Sequence, residues 1–347
     1  MEVLCGKRII TTIIGILIFL GVFLLDSLQI INGPLFFNIA MVIVSFLMCH
    51  EFYGAMETKG YKPIKILGYL CTLFLIPIGV VRTTTLMMSC AIIIPFIIFL
   101  TLAITVFSKL KYNVADASVT ILGALYTVLM VAFLSATRAM PMGVFLLFYA
   151  ICGAWFSDIF AYLIGRKIGK HKFSTISPKK SIEGCIAGVF GTIIFFVLYS
   201  TWLGNLNFKE FKETSNSISS IVQLEEKQDN PLKSVATDVK NTNPLATDTK
   251  IVVDDILENI TVSDEFNMQQ TLKEEFFFNY PLLIVLGIIV SVVSQIGDFA
   301  ASGIKRYADI KDFSNLMPGH GGMLDRFDSV LFVTPIIYYT FFIIVNT

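Results

Sequence analysis

Residues 279–305 read NYPLLIVLGIIVSVVSQIGDFAASGIK, an apolar run that closes on an acid and a base. Leu282 to Ile296 carries no charge. About 20 such residues, as a helix, cross a hydrocarbon core about 30 Å thick. Asp298, Ser302 and Lys305 follow at i, i+4 and i+7, so they share one helix face as the span leaves the membrane. Asp309, at i+11, extends that face.

Eight more stretches have the same character: 9–26, 31–50, 66–82, 84–107, 117–137, 140–164, 184–203 and 328–346. The chain is therefore expected to be an all-α, polytopic integral membrane protein with about nine transmembrane helices. The first stretch follows Lys7 and Arg8 and lacks a small-residue cleavage site, so it reads as a retained helix. The third is short and contains Pro77, and a re-entrant segment is the alternative there. Composition agrees. Of 347 residues, 55% are hydrophobic and 15% charged, against about 25% charged in a soluble domain. This excludes a disordered chain, most soluble enzymes and nucleic-acid binding driven by bulk positive charge. The six cysteines form no CxxC pair, and with three histidines there is no zinc-ligand spacing.

The 26 basic and 26 acidic residues cancel only on average. With Lys7 and Arg8 in the cytoplasm and nine crossings, the cytoplasmic side holds 17 of the 26 basic residues. They include Lys59, Lys62, Lys65, Lys109 and Lys111, then Arg166 to Lys180, then Lys305 to Arg326, as the positive-inside bias requires. The chain divides into N-terminal spans (1–138), a catalytic membrane region (139–204 and 279–347) and a polar segment (205–278) with 14 acidic and 7 basic residues. That segment reads as a largely disordered or loosely helical outer loop, with short amphipathic pieces around 251–260.

Charges near the membrane fall in two blocks. In the first, Asp158, Tyr162 and Gly165 share a helix face, and Ser177-Pro178 places Lys179 and Lys180 at a helix N-terminus. Such a terminus suits a polyphosphate, while contact with anionic lipid headgroups explains the same lysines equally well. The second block runs from Gly297-Asp298 through Lys305-Arg306 and Lys311 to Pro318-Gly319-His320-Gly321-Gly322-Met323-Leu324-Asp325-Arg326-Phe327-Asp328. Asp325 and Asp328 are i, i+3 on the next helix. With Asp298 they converge on a hard cation such as Mg²⁺, which takes oxygen ligands. The glycine loop lets backbone N–H groups approach phosphate. Lys305, Arg306, Lys311 and Arg326 add fixed positive charge. Carboxylates for metal among bases for phosphate are what transfer at phosphorus needs. Interhelical salt bridges are the structural alternative.

The run Ser302-Gly303-Ile304-Lys305-Arg306, then Lys311-Asp312, then Pro318 to Asp328 closely resembles the signature of CDP-diacylglycerol synthases (phosphatidate cytidylyltransferases). Asp158-x-x-Ala161-Tyr162, Gly165-Arg166, Gly169-Lys170 and Ser177 to Gly184 resemble that family too, as do Glu51, Tyr126 and Arg138 more weakly. The 205–278 loop departs from the compact bacterial members. The resemblance implies that CTP and phosphatidate give CDP-diacylglycerol and diphosphate. It also implies a homodimer in the lipid bilayer and a Mg²⁺ site assisted by K⁺. Asp298, Asp325 and Asp328 would be metal-binding, and Lys305, Arg306, Lys311 and Arg326 catalytic beside them. Substrate contacts would fall to Lys179, Lys180, Ser302, Gly319, His320, Gly321, Gly322, Asp158 and Tyr162. The expected setting is a bacterial inner membrane with the site facing the cytoplasm. The competing readings are a CTP-dependent polyprenol or phytol kinase and, in another class, a transporter. A transporter places its polar residues near the midplane in repeated halves, whereas here they cluster at one face.

Overall fold

The computed structural model describes residues 15, 17–18, 21–26, 34–80, 86–108, 111–140, 142–173, 177, 180–227, 276–277, 279–317 and 321–346. Among these, every regular element is a helix. The helices are α1 (Leu35–Glu57), α2 (Lys65–Thr72, tightened into a 3₁₀ turn over Leu73–Leu75) and α3 (Leu86–Phe107). Next come α4 (Val114–Ala139, with a π turn at Leu125–Leu129), α5 (Gly143–Ile168) and α6 (Ile182–Lys227). The last are α7 (Tyr280–Tyr307) and α8 (Leu324–Asn346). Six of these, α1 and α4 to α8, contain stretches long and apolar enough to cross a membrane. The chain is thus an integral membrane protein. Of the expected nine spans, the described residues hold six such helices and two shorter apolar ones. Of the first expected span, only residues 15, 17–18 and 21–26 are described. In the expected 205–278 loop, α6 continues to Lys227, so the loop's first part is helical. Residues 228–275, including the expected pieces at 251–260, lie outside the described residues.

Two compact units are distinguished. One comprises Met1–Phe195 and Val285–Ile343, the other Phe196–Ile284 and Ile344–Thr347. In the second, Tyr199 and Trp202 stack with ring centres 5.9 Å apart. Both charged blocks of the sequence belong to the first unit.

The third expected span shows how a short helix is completed. Helix α2 and its 3₁₀ turn stop at Leu75. Eight α-helical and three 3₁₀ residues rise only about 18 Å, little more than half a hydrocarbon core. The chain nevertheless continues to the far end of its neighbours: a Cβ at Gly79 would lie 2.2 Å from Ala139 Cβ and 3.5 Å from Pro34 Cδ. Asn38 makes this possible. Its buried amide donates to the carbonyls of Ile76 (3.2 Å) and Ile78 (2.6 Å), which the helix has stopped satisfying. Asn38→Leu should therefore strand two carbonyls in apolar surroundings, at about 1–3 kcal/mol each. The check is the thermal midpoint of the detergent-solubilised variant, which should fall.

The sequence explains how the helix ends are tied. Asn113 and Asp116 form a reciprocal capping box at the start of α4, and the other Asp116 oxygen accepts from Lys62 N at 2.7 Å. Thr58 Oγ1 donates to Ala308 O (2.9 Å), Tyr61 and Tyr307 share a hydroxyl contact of 2.7 Å, and Lys59 pairs with Asp309. These contacts bring Lys59, Lys62, Lys111 and the end of α7 to one end of the helices. At the opposite end, buried Asp26 accepts from Phe36 N at 3.0 Å and lies 3.5 Å from Arg138. The described basic clusters thus gather on one side, as charge counting expected. Helix α7 ends at Tyr307, and Asp309 has a left-handed φ of 55°. The face read as Asp298, Ser302, Lys305 and Asp309 therefore loses its last member, which turns to Lys59.

Helices α5, α6 and α7 approach closely because α6 presents Gly184, Gly188 and Gly191 on one face. A Cβ at Gly184 would meet Ala161 O at 2.6 Å, and one at Gly188 would meet Ser157 O at 2.8 Å. A polar seam locks the register. Ser157 and Ser291 hydroxyls lie 2.8 Å apart, and Gln295 donates to Ser291 Oγ and to Cys185 O. One turn beyond Gln295, toward the basic end, the charged residues begin.

Candidate active site

Two linked charge centres stand at that end. The first joins four elements. Asp158 comes from α5, Lys180 from the segment before α6, Asp298 from α7, and Asp328 with Ser329 from the first turns of α8. The Lys180 ammonium pairs with Asp298 and lies 3.9 Å from Asp158 Oδ1. It also sits 4.8 Å above the Phe299 ring, which stacks on Phe173. Ser329 Oγ is 3.4 Å from Asp158 Oδ2 and 3.3 Å from Asp328 Oδ1, bridging the two acids. Helices α7 and α8 can meet there because residue 297 is glycine: a Cβ would lie 2.7 Å from Asp328 O.

The second centre orders the loop before α8. Lys305 Nζ is 2.6 Å from Asp325 Oδ1, with side chains 13% and 4% exposed. Asp325 Oδ2 accepts from Phe313 N (2.9 Å) and Gly322 N (3.0 Å). Both oxygens of this expected metal ligand are thus engaged within the protein. Beside it lies Glu51 of α1, buried, whose Oε1 accepts from Ser314 Oγ (2.6 Å) and Met323 N (2.9 Å). Its Oε2 accepts from Leu324 N at 2.7 Å. A carboxylate at the α8 N-terminus satisfies donors that a helix leaves unpaired and complements its dipole. Gly322 is required by proximity, since a Cβ would lie 2.7 Å from either Glu51 oxygen. Gly321 is required by its φ of 85°. The glycine loop was expected to offer its amides to phosphate. The N–H groups of Gly322, Met323 and Leu324 instead serve Asp325 and Glu51.

Asp158, Lys180, Asp298 and Asp328 come together, and so do Lys305, Asp325, Gly321 and Gly322. Arg306, Lys311 and Arg326 are exposed and have no ion pair among the described residues. They remain open to anions. Ser302 is half-buried on α7. Tyr162 is 62% exposed, and its hydroxyl accepts from Arg166 at 3.2 Å, so it stands apart from Asp158. Lys179, Gly319 and His320 lie outside the described residues. Among the described residues, no preformed group of three His, Cys, Asp or Glu side chains is arranged to hold a metal. The donor chemistry nevertheless suits a hard cation. Asp158 Oδ1 is buried with no hydrogen-bond partner among the described residues, and one ammonium neutralises Asp158 and Asp298 together. From sequence, Glu51 stood out as an acid beside an apolar run and by a weak family resemblance, with no role attached. Nothing local names partners 263 to 273 residues away.

A cytidylyltransferase family model matches residues 6–344. A phosphatidate cytidylyltransferase from Staphylococcus haemolyticus is 26% identical over 336 residues, 95% of this chain and 96% of its own length. The protein of that name from Staphylococcus aureus (strain COL) is 29% identical over 240 residues, 69% of this chain and 64% of its own. That from Staphylococcus saprophyticus is 26% identical over 336 residues, 95% and 96% of the two chains.

Proposed function

This chain belongs to the cytidylyltransferase family, and from that premise we propose that it is a phosphatidate cytidylyltransferase. It converts CTP and phosphatidate to CDP-diacylglycerol and diphosphate at the cytoplasmic face of a bacterial inner membrane. The observation that carries this reading is the gathering of Asp158, Asp298 and Asp328 around Lys180 and Ser329 at the basic end of a membrane-spanning helix set. A lipid phosphate anchored by its acyl chains reaches that boundary, and so does a nucleotide from the water.

A phosphatidate phosphate oxygen attacks the α-phosphorus of CTP. The bond from that phosphorus to the bridging oxygen breaks in line, and diphosphate leaves with the electron pair. No nucleophilic side chain is needed, because the phosphate is itself the nucleophile. Mg²⁺, with K⁺ as a second cation, would neutralise triphosphate charge when bound. Asp298 and Asp328 are its best-placed ligands. Asp158 is better placed as the third than Asp325, whose oxygens hold Lys305 and two amides. With the acids holding a cation, the Lys180 ammonium would be free to bind a phosphate. Arg306, Lys311 and Arg326 hold the remaining phosphate charge. The nine-span topology and a homodimer are part of this proposal.

The test supplies membranes containing the protein with radiolabelled CTP and phosphatidate. Labelled CDP-diacylglycerol with equimolar diphosphate is expected, lost with EDTA and restored by Mg²⁺. Release of CDP with a phosphorylated alcohol would make the chain a kinase and overturn the proposal.

A further inference from the structure

Tyr126 sits in the π turn of α4, Leu125–Leu129. A π turn inserts one residue into a helix and rotates the residues beyond it, and such turns recur at functional sites. The disturbance to the backbone is compensated: Ser45 Oγ donates to Thr127 O at 2.9 Å, and Thr127 Oγ1 donates to Gly123 O at 2.8 Å. The Tyr126 ring is wedged between Phe52 of α1 (6.0 Å) and Phe332 of α8 (5.8 Å). Phe332 is one turn beyond Asp328, and both crowd against Gly297. The ring is 7% exposed, and its hydroxyl is buried with no hydrogen-bond partner among the described residues. Through Phe332 the ring packs one helical turn from Asp328 on α8. An unsatisfied hydroxyl in an apolar interior is costly, and phenylalanine would fill the same space without that cost. A donor kept at this cost, beside the carboxylates, is placed for an acceptor that arrives later.

Resting on the cytidylyltransferase reading, we propose that the Tyr126 hydroxyl donates a hydrogen bond to a phosphate oxygen of bound substrate, from the apolar floor of the carboxylate site. The phosphate belongs to phosphatidate or to CTP. The bond forms where water is excluded, between a neutral donor and an anion, the class of hydrogen bond that contributes most.

The experiment uses the full-length protein and Tyr126→Phe, which removes one oxygen and keeps the ring. Expected is a fall in kcat/KM of about 10- to 100-fold, the worth of one hydrogen bond to a charged group. The ligand-free thermal midpoint should be unchanged or raised, because the lost oxygen had no partner. A structural role predicts the reverse, a lowered midpoint. The substrate whose KM rises, CTP or phosphatidate, identifies the phosphate. A second readout needs no turnover: the rise in thermal midpoint on adding Mg²⁺-CTP or phosphatidate vesicles should be smaller in the variant. Wild-type kcat/KM with an unchanged ligand-induced rise would overturn the inference, and so would a lowered ligand-free midpoint. Failure of the wild-type protein to make CDP-diacylglycerol would count against the functional reading, while the binding readout still judges Tyr126.

Discussion

Replacing Asp298 with asparagine should lower CDP-diacylglycerol formation by about 10²–10³-fold or more, the range seen when one preorganised charge-stabilising group is lost. The protein should remain in the membrane. The change preserves side-chain volume, and the Asp298 side chain is 26% exposed, at the end of an apolar helix it does not hold together. What it removes is a full negative charge at the meeting point of Asp158, Lys180 and Asp328. Among the described residues, Lys180 would then have only Asp158, at 3.9 Å, as counter-ion. A hard cation would lose one of its best-placed oxygens, since a neutral amide is a poor ligand beside a triphosphate. The measurement is radiolabelled CTP turnover in membranes with Mg²⁺ and phosphatidate, normalised to protein content. Turnover near wild type would remove Asp298 from the cation site and with it the central acid of the proposal.

Asp298 was legible in the sequence for a physical reason. A carboxylate at the end of an apolar run, with Lys305 two helical turns on, is costly unless it has work to do. The spacing Asp325-x-x-Asp328 was equally plain, but spacing cannot divide roles between the two. The structure turns Asp325 onto Lys305 and two loop amides, and turns Asp328 toward Ser329 and Asp158. Helical periodicity put Tyr162 on the face of Asp158, yet it is Lys180, 22 positions away, that reaches Asp158. Tyr162 looks outward to Arg166. Apolar length located the spans and missed how α2 ends, because Asn38 completes it from another helix. Local pattern reveals which residues are costly in a membrane. Which of them meet is set by helix packing, and that depends on glycines such as 184, 188 and 297 whose partners lie far along the chain.

Glu51 is the strongest case of such distance, and its removal should have the other large effect. Glu51→Ala should lower both the thermal midpoint and activity, the latter by about 10²-fold or more, measured well below the variant's own midpoint. The expected energetic cost is about 1–3 kcal/mol for each buried donor left unpaired, and three donors depend on this carboxylate. Two of them are the amides of Met323 and Leu324, at the start of the helix that carries Asp325 and Asp328. Once they are released, the first turn of α8 is no longer pinned to α1. Gly322, which fits only because it has no side chain against Glu51, would have empty space beside it. Glu51→Gln separates charge from shape. Its oxygen can still accept from one side, but its NH₂ group then faces backbone donors, so it should fall between wild type and alanine in both readouts. Wild-type activity and midpoint in Glu51→Gln would mean that shape alone seats the loop. A deficit in kcat at saturating substrates, beyond what unfolded protein accounts for, would mean that the negative charge on α1 holds the α8 carboxylates in register for the reaction.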